Sequence, residues 1–133
     1  MQENALSNYH CMAEHNDTGR WGEELAFFHL REKGLEILEQ NWRFSRAEVD
    51  IIARDAAGIL IFVEVKTRTS DYFGRPEDFV SQRKEDFLAR AASSYMEKIG
   101  HHGEVRFDIV SILKTPEGTE IQHFEDAFFP GLR

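Results

Sequence analysis

The 133-residue chain carries 24 acidic against 16 basic side chains, a net charge of −8, with 41% hydrophobic residues that include 11 Phe. That length fits one compact domain and leaves no room for two, and the composition is too apolar for a wholly disordered chain. The longest apolar run, Gly58–Val63, falls far short of the roughly 20 residues of a membrane span, so no membrane partner is expected. Cys11 is the single cysteine and rules out an internal disulfide; with no basic segment at the Gln2-Glu3 start, the expected location is cytoplasmic. An acidic chain is a poor nonspecific polyanion binder, but its charge is uneven. Residues 66–98 hold seven basic against six acidic side chains while both flanks are acidic, so a phosphate-facing surface is expected there.

Residues 1–16 are polar and aperiodic and read as a flexible extension. His10, Cys11 and His15 have a spacing that could in principle hold a metal, though tails of this kind ordinarily do not. Residues 17–133 read as the domain. Asp17 or Thr18 can cap a helix running to Lys33, with Gly34 as its left-handed stop. Its apolar residues fall in two groups, Trp21, Leu25 and Phe28 against Ala26, Phe27 and Leu30, which predicts burial on both sides. Residues 35–44, 48–54 and 59–67 read as three strands of an antiparallel meander, the second turn closing at Gly58. Residues 69–77 carry Gly74 and Pro76 without a period and predict a loop. Val80, Phe87, Leu88, Ala91, Tyr95 and Ile99 mark a helix over about 78–99 that stops at Gly100. Two further strands, 105–113 and 119–124, flank the turn Thr115-Pro116-Glu117-Gly118. Trp21 and Trp42 are expected in the core, and Arg106 and Asp108, on one strand face, as a structural pair.

Polar residues stand where the pattern asks for apolar ones. Glu64 and Lys66 share a strand face with Leu60 and Phe62, and a buried charge needs a partner. Two partners suit Glu64: a divalent metal, or Lys66 in a strand-end salt bridge. Asp50 adds a second carboxylate on the neighbouring strand, and register decides whether it meets Glu64. An even hairpin loop would pair Asp50 with Val63 and leave Glu64 on the opposite face; an odd loop, or a bulge at Gly58, puts both on one face, and the odd register is the one predicted. Two carboxylates, the Val65 carbonyl and water would make an oxygen-rich site suited to Mg²⁺ or Mn²⁺, with Lys66 beside the attacking water. Glu23 shares a helix face with Gly19, Ala26, Phe27 and Leu30, whose small members permit close approach to the sheet, so it is a third carboxylate for the metal, directly or through water; Glu24 reads as solvated. Lys84 points inward from its helix, either to a phosphate or with its stem on apolar surface and its ammonium in water. Arg68, Arg75 and Arg83 are candidate phosphate contacts, though taken singly each reads first as a solvated surface charge.

The order Glu23, Asp50, Glu64-Val65-Lys66, on a helix followed by a meander, resembles the PD-(D/E)XK nuclease superfamily with its restriction-endonuclease-like fold. More specific are Gly22-Glu23-Glu24-Leu25-Ala26, Asn41-Trp42-Arg43, Glu48-Val49-Asp50-Ile51-Ile52-Ala53, Phe62–Arg68, Gly74, Lys84, Arg106-Phe107-Asp108 and Ala127-Phe128. Together they resemble the small bacterial YraN family of endonuclease-like proteins over about residues 18–128. The resemblance implies an α/β fold with a central mixed sheet flanked by helices, Asp50, Glu64 and Lys66 in catalytic positions, Glu23 assisting, and Lys84 where related nucleases carry a helix Gln or Lys. Ala47 departs from the Gly usual there and restricts the turn to negative φ. The expected function is a Mg²⁺- or Mn²⁺-dependent endonuclease acting on DNA, including branched intermediates, with a homodimer or protein partner adding grip that an acidic domain lacks. The alternatives are a non-catalytic nucleic-acid-binding or adaptor protein that keeps the fold, and a hydrolase of another phosphorylated substrate.

Overall fold

The computed structural model describes residues 17–69 and 81–128; the extension with His10, Cys11 and His15, and most of the 69–77 segment with Arg75, lie outside them. Helix α1 (Asp17–Glu32) ends one residue before the expected Lys33, and Gly34, the expected stop, takes a φ of 93° that glycine adopts at no steric cost. Strands β1 (Glu36–Phe44), β2 (Ala47–Arg54) and β3 (Leu60–Arg68) form the antiparallel meander. Helix α2 (Gln82–Ile99) then carries the chain across to β4 (Val105–Thr115), which runs parallel to β3, and β5 (Gly118–Phe124) returns antiparallel. The result is one mixed five-stranded sheet in the order β1-β2-β3-β4-β5, with a helix on each face. No described helix is long and apolar enough to cross a membrane.

Strand alternation sorts the apolar residues onto two faces. Leu60, Phe62, Phe107 and Ile109 pack with Leu88, Ala91, Ala92 and Tyr95 of α2, whereas Ile61, Val63, Val110 and Ile112 pack with Ala26 and Leu30 of α1. Four expectations need correcting. Helix α1 is not buried on two sides: Gly22, Ala26 and Leu30, spaced by four, are fully buried, while Trp21, Leu25, Phe27 and Phe28 flank that stripe half-covered, because the helix lies on a single sheet face. Helix α2 begins at Gln82, not near 78, because the Ser81 hydroxyl accepts from the Lys84 N–H and supplies the N-cap. Ile99 stays 39% exposed, the stripe ending at Tyr95 one turn before the helix does. Trp42 packs against the α2-side cluster and Trp21 against the α1-side one, each partly covered rather than fully interior.

The close approach of α1 to the sheet also falls on a different glycine. Gly19 is exposed with open space where a Cβ would go, while a Cβ on Gly22 would stand 1.9 Å from Thr67 Oγ1 and 3.1 Å from Thr67 Cβ. Overpacking of this kind costs about 1–3 kcal/mol. Gly22→Ala is therefore expected to lower stability to denaturant by that amount, and Gly22→Ala/Thr67→Ala to recover part of it. A Gly22→Ala single variant as stable as wild type would show that helix and strand are not held at this distance.

Candidate active site

The β2–β3 hairpin sets the geometry. Arg54 pairs with Leu60, leaving the five-residue turn Asp55–Ile59, in which the Asp55 carboxylate accepts from the Ala57 and Ile59 N–H groups at 3.0 and 2.9 Å and Gly58 takes a φ of 92°. Five is odd, and the register Ile52↔Phe62, Ile51↔Val63 carried one step further sets Asp50 level with Glu64. The backbone ladder ends at Ile51↔Val63, and the Val65 N–H donates instead to Asp50 Oδ2 at 2.8 Å. Ala47, buried and with negative φ, fits the turn before β2; the left-handed residue there is Ser45, at φ 57°.

Glu64 is 4% exposed, and its two oxygens differ. Oε2 meets the Lys66 ammonium at 3.2 Å and the Lys84 ammonium at 2.5 Å, so the strand-end salt bridge does form, with a second lysine reaching in from α2. Oε1 has no hydrogen-bond partner among the described residues, a state that costs a buried oxygen roughly 1–3 kcal/mol or more. Burial, with the negative charge of Glu64 next and that of Glu23 adding, pushes the Asp50 carboxyl up to about 7, the Val65 N–H opposing. For Lys84 burial acts to lower the pKa, but the hydrogen bond and charge of Glu64, with Asp50 behind it, outweigh burial and hold the ammonium above the ordinary lysine value. Two carboxylates and two ammonium groups thus meet at one point, around a buried oxygen that no described residue satisfies.

Glu23 stands on α1 at the rim of this cluster. Burial, then the charge of Glu48, raises its pKa, Glu64 adding and a hydrogen bond from the Asn41 side chain opposing. Among the described residues no three His, Cys, Asp or Glu side chains are grouped closely enough to hold an ion by themselves. A cation here would rest on Asp50, Glu64, main-chain oxygen and water, with Glu23 reaching it through water. The Lys84 ammonium, read from the sequence as reaching phosphate or open water, is instead tied to Glu64. Arg68 closes β3, its Nη1 donating to the Thr67 carbonyl at 3.2 Å. Asn41 was not singled out as a site residue: it sits inside β1 at φ 53°, between the pairs Gln40↔Ile51 and Trp42↔Val49, and so level with Asp50. Its signal was present, because asparagine tolerates left-handed backbone better than other non-glycine residues.

On the opposite sheet face Arg106 and Asp108 form the expected pair, bidentate at 2.9 and 2.9 Å, within a larger network. The His123 Nε2–H donates to Asp108 Oδ2 at 2.7 Å, the Asp126 N–H to Oδ1 at 3.0 Å, and the Lys33 ammonium lies 2.9 Å from His123 Nδ1. This network ties β4, β5 and the end of α1 together.

With this geometry described, the chain can be set beside known proteins. A family model described as "Uncharacterised protein family UPF0102" matches residues 22–112, which run from Gly22 at the α1–β3 contact through the whole carboxylate–lysine cluster. The chain belongs to UPF0102. That is the YraN resemblance read from the sequence motifs. Among UPF0102 relatives, a protein of Christiangramia forsetii is 51% identical over 118 residues, covering 89% of this chain and 98% of the relative. One of Flavobacterium psychrophilum is 48% identical with the same coverage, and one of Porphyromonas gingivalis is 40% identical, covering 88% and 87%. Among solved structures, Pyrococcus furiosus SfsA in complex with Ca²⁺ overlays with a TM-score of 0.34 at 17% identity, covering 81% of this UPF0102 chain and 62% of SfsA, a likeness too slight to bear on fold or function.

Proposed function

We propose that this chain is a metal-dependent phosphodiesterase of the PD-(D/E)XK type, with a restriction-endonuclease-like arrangement of sheet and helices, acting on DNA. The observation that carries the reading is the Oε1 of buried Glu64, without a hydrogen-bond partner among the described residues, beside the carboxyl of Asp50, whose charge is disfavoured by burial and by Glu64. A stability-optimised core would hold neither, and a divalent cation would satisfy both. Mg²⁺ or Mn²⁺ held by Asp50, Glu64 and the Val65 carbonyl, with Glu23 through water, would supply Lewis-acid polarisation of the phosphate and a more acidic attacking water.

The chain's own residues supply the rest. Lys66, 3.2 Å from Glu64, is placed to hold and orient the attacking water and to offset charge gathering on the phosphate. Lys84 lines a cavity together with Asp50, and its ammonium, held on Glu64, stands where it would also meet a phosphate oxygen entering that cavity. Arg68 and Arg75 remain proposed contacts to flanking phosphates, and a second copy or a protein partner would add grip on a chain of net charge −8. One observation favours a second reading, a non-catalytic nucleic-acid-binding or adaptor protein: with two lysines on Oε2, Glu64 is held without any metal.

Calorimetry with Mn²⁺ separates the two. Wild type is expected to bind one equivalent, and Glu64→Gln, matched for fold by circular dichroism, to lose at least tenfold in affinity. Lack of binding by wild type, even with a DNA oligonucleotide present, would decide for the adaptor.

A further inference from the structure

From the carboxylate cluster a groove runs outward over the β1–β2 turn and the first turns of α2. It consists of two adjoining hollows, of about 390 and 440 Å³, each in the size range of small-ligand sites. The inner one is bounded by Asp50, Glu48, Arg83 and Lys84, the outer one by Phe44 and Arg90, and Arg46, Ala47 and Phe87 line both. Four cations, Arg46, Arg83, Lys84 and Arg90, therefore converge on one channel of an acidic chain, opposed at its inner end by Glu48 and Asp50. The Arg83 and Arg90 guanidinium carbons lie 5.7 and 5.0 Å from the Phe87 ring centre, so one aromatic side chain holds both arginines over the channel. At the outer end Phe44 is 37% exposed and stacks within 6° of parallel on Trp42, its centroid 6.3 Å away. Apart from Ile99 it is the most exposed large hydrophobic side chain among the described residues.

We infer that this groove is the track of an unpaired nucleic-acid strand, its phosphates on Arg46, Arg83 and Arg90 and a base stacked on Phe44. Polyanion chemistry explains the cations, and an exposed ring beside them explains the choice of strand. Cationic grooves with aromatic platforms suit single strands, whose bases are free to stack, whereas a duplex keeps its bases stacked on each other. The track ends at Asp50 and Lys84, so an unpaired end or flap would be delivered to the carboxylates; that delivery rests on the phosphodiesterase reading, while binding in the groove does not.

Fluorescence anisotropy of the full chain tests it, with a labelled 12-nucleotide single strand and a duplex of the same length, in EDTA and again with Mn²⁺. Wild type is expected to prefer the single strand. Arg46→Ala/Arg90→Ala, both exposed positions, should weaken that binding about tenfold and reduce the slope of log affinity against log salt by about 1.4, two phosphate contacts at the single-strand value. Phe44→Ala should weaken single-strand binding at least fivefold and leave duplex binding unchanged. Variants that bind the single strand like wild type, equal losses on both DNAs, a wild-type preference for duplex, or no binding by wild type would each overturn the track. Binding lost in these variants while Mn²⁺ affinity is absent would retain the track and reject the hydrolase; Mn²⁺ binding with indifferent groove variants would do the reverse.

Discussion

Asp50→Asn is expected to make the metal-free protein more stable at neutral pH and, on the phosphodiesterase proposal, to remove metal-dependent cleavage. The Asp50 carboxyl is raised from 3.8 to about 7 by burial and by Glu64, so the folded state holds its proton more tightly than the unfolded chain does. The stability linked to that proton is fully present below about pH 4 and is lost as pH rises towards 7. Three pH units correspond to about 4 kcal/mol, and screening at a half-buried group reduces this to about 2 kcal/mol. An asparagine keeps an oxygen for the Val65 N–H and carries no charge, so urea unfolding at pH 8 should show a gain of about that size. The decline of stability between pH 4 and 7 should flatten in the variant. Adding Mn²⁺ should stabilise wild type by mass action and leave the variant unchanged, and cleavage should fall by at least about 100-fold. A variant less stable than wild type at pH 8, over a wild-type profile flat from pH 4 to 7, would show that the two carboxylates do not repel each other.

The largest loss of stability is expected from Asp108→Ala. Asp108 is 0% exposed; burial acts to raise its pKa, but the hydrogen bonds from His123 and Arg106, with the Asp126 N–H, hold it below the ordinary carboxylate range. Removing the carboxylate strands the half-buried Arg106 charge and leaves the His123 N–H unpaired, at a cost of about 3–5 kcal/mol. Because the folded pKa is depressed, the contribution is present above pH 3.8 and is lost as pH falls further, so acid unfolding of wild type should steepen there and the variant should lack that step. Metal affinity per folded molecule should not change, since the network lies on the α1 face of the sheet, away from Lys84 and α2. A variant within 1 kcal/mol of wild type would show that the network is replaceable by packing alone, as some buried ion pairs are.

Local rules made most of the scaffold readable. Glycine stops follow both helices at the expected residues, Gly34 and Gly100, and two-residue alternation placed Glu64 and Lys66 on one face with Leu60 and Phe62. The parity of a hairpin loop was enough to bring Asp50 beside Glu64, because register is a counting problem once both strands are identified. What stayed hidden depended on distance through space. Periodicity gave the inward direction of Lys84, but not that α2 sits near enough for its ammonium to reach Glu64. Arg106 and Asp108 were paired from their spacing, while His123 joined them across a hairpin that no local pattern connects. Gly22 rather than Gly19 makes the helix–sheet contact because the crossing point of α1 over β3 is set by packing of the Ala26 and Leu30 stripe. Phe44 and Arg90 gave no signal of their own, since an exposed ring and a surface arginine acquire meaning only when the fold brings them to one channel.

The five residues from Asp55 to Ile59 act as a spacer whose length matters more than its composition. A change of one residue there would turn every later side chain of β3 to the other face, moving Glu64 from its place beside Asp50 into the apolar layer under α1 and bringing Val63 or Val65 to face Asp50. A change of two would keep each residue on its own face and only slide the strands past each other. Substitutions outside the Asp55 cap and Gly58 would leave the register as it is. Length variation at this surface turn, ordinarily among the best-tolerated changes a protein can undergo, is here coupled to the chemistry on the far end of the strands through nothing more than odd and even.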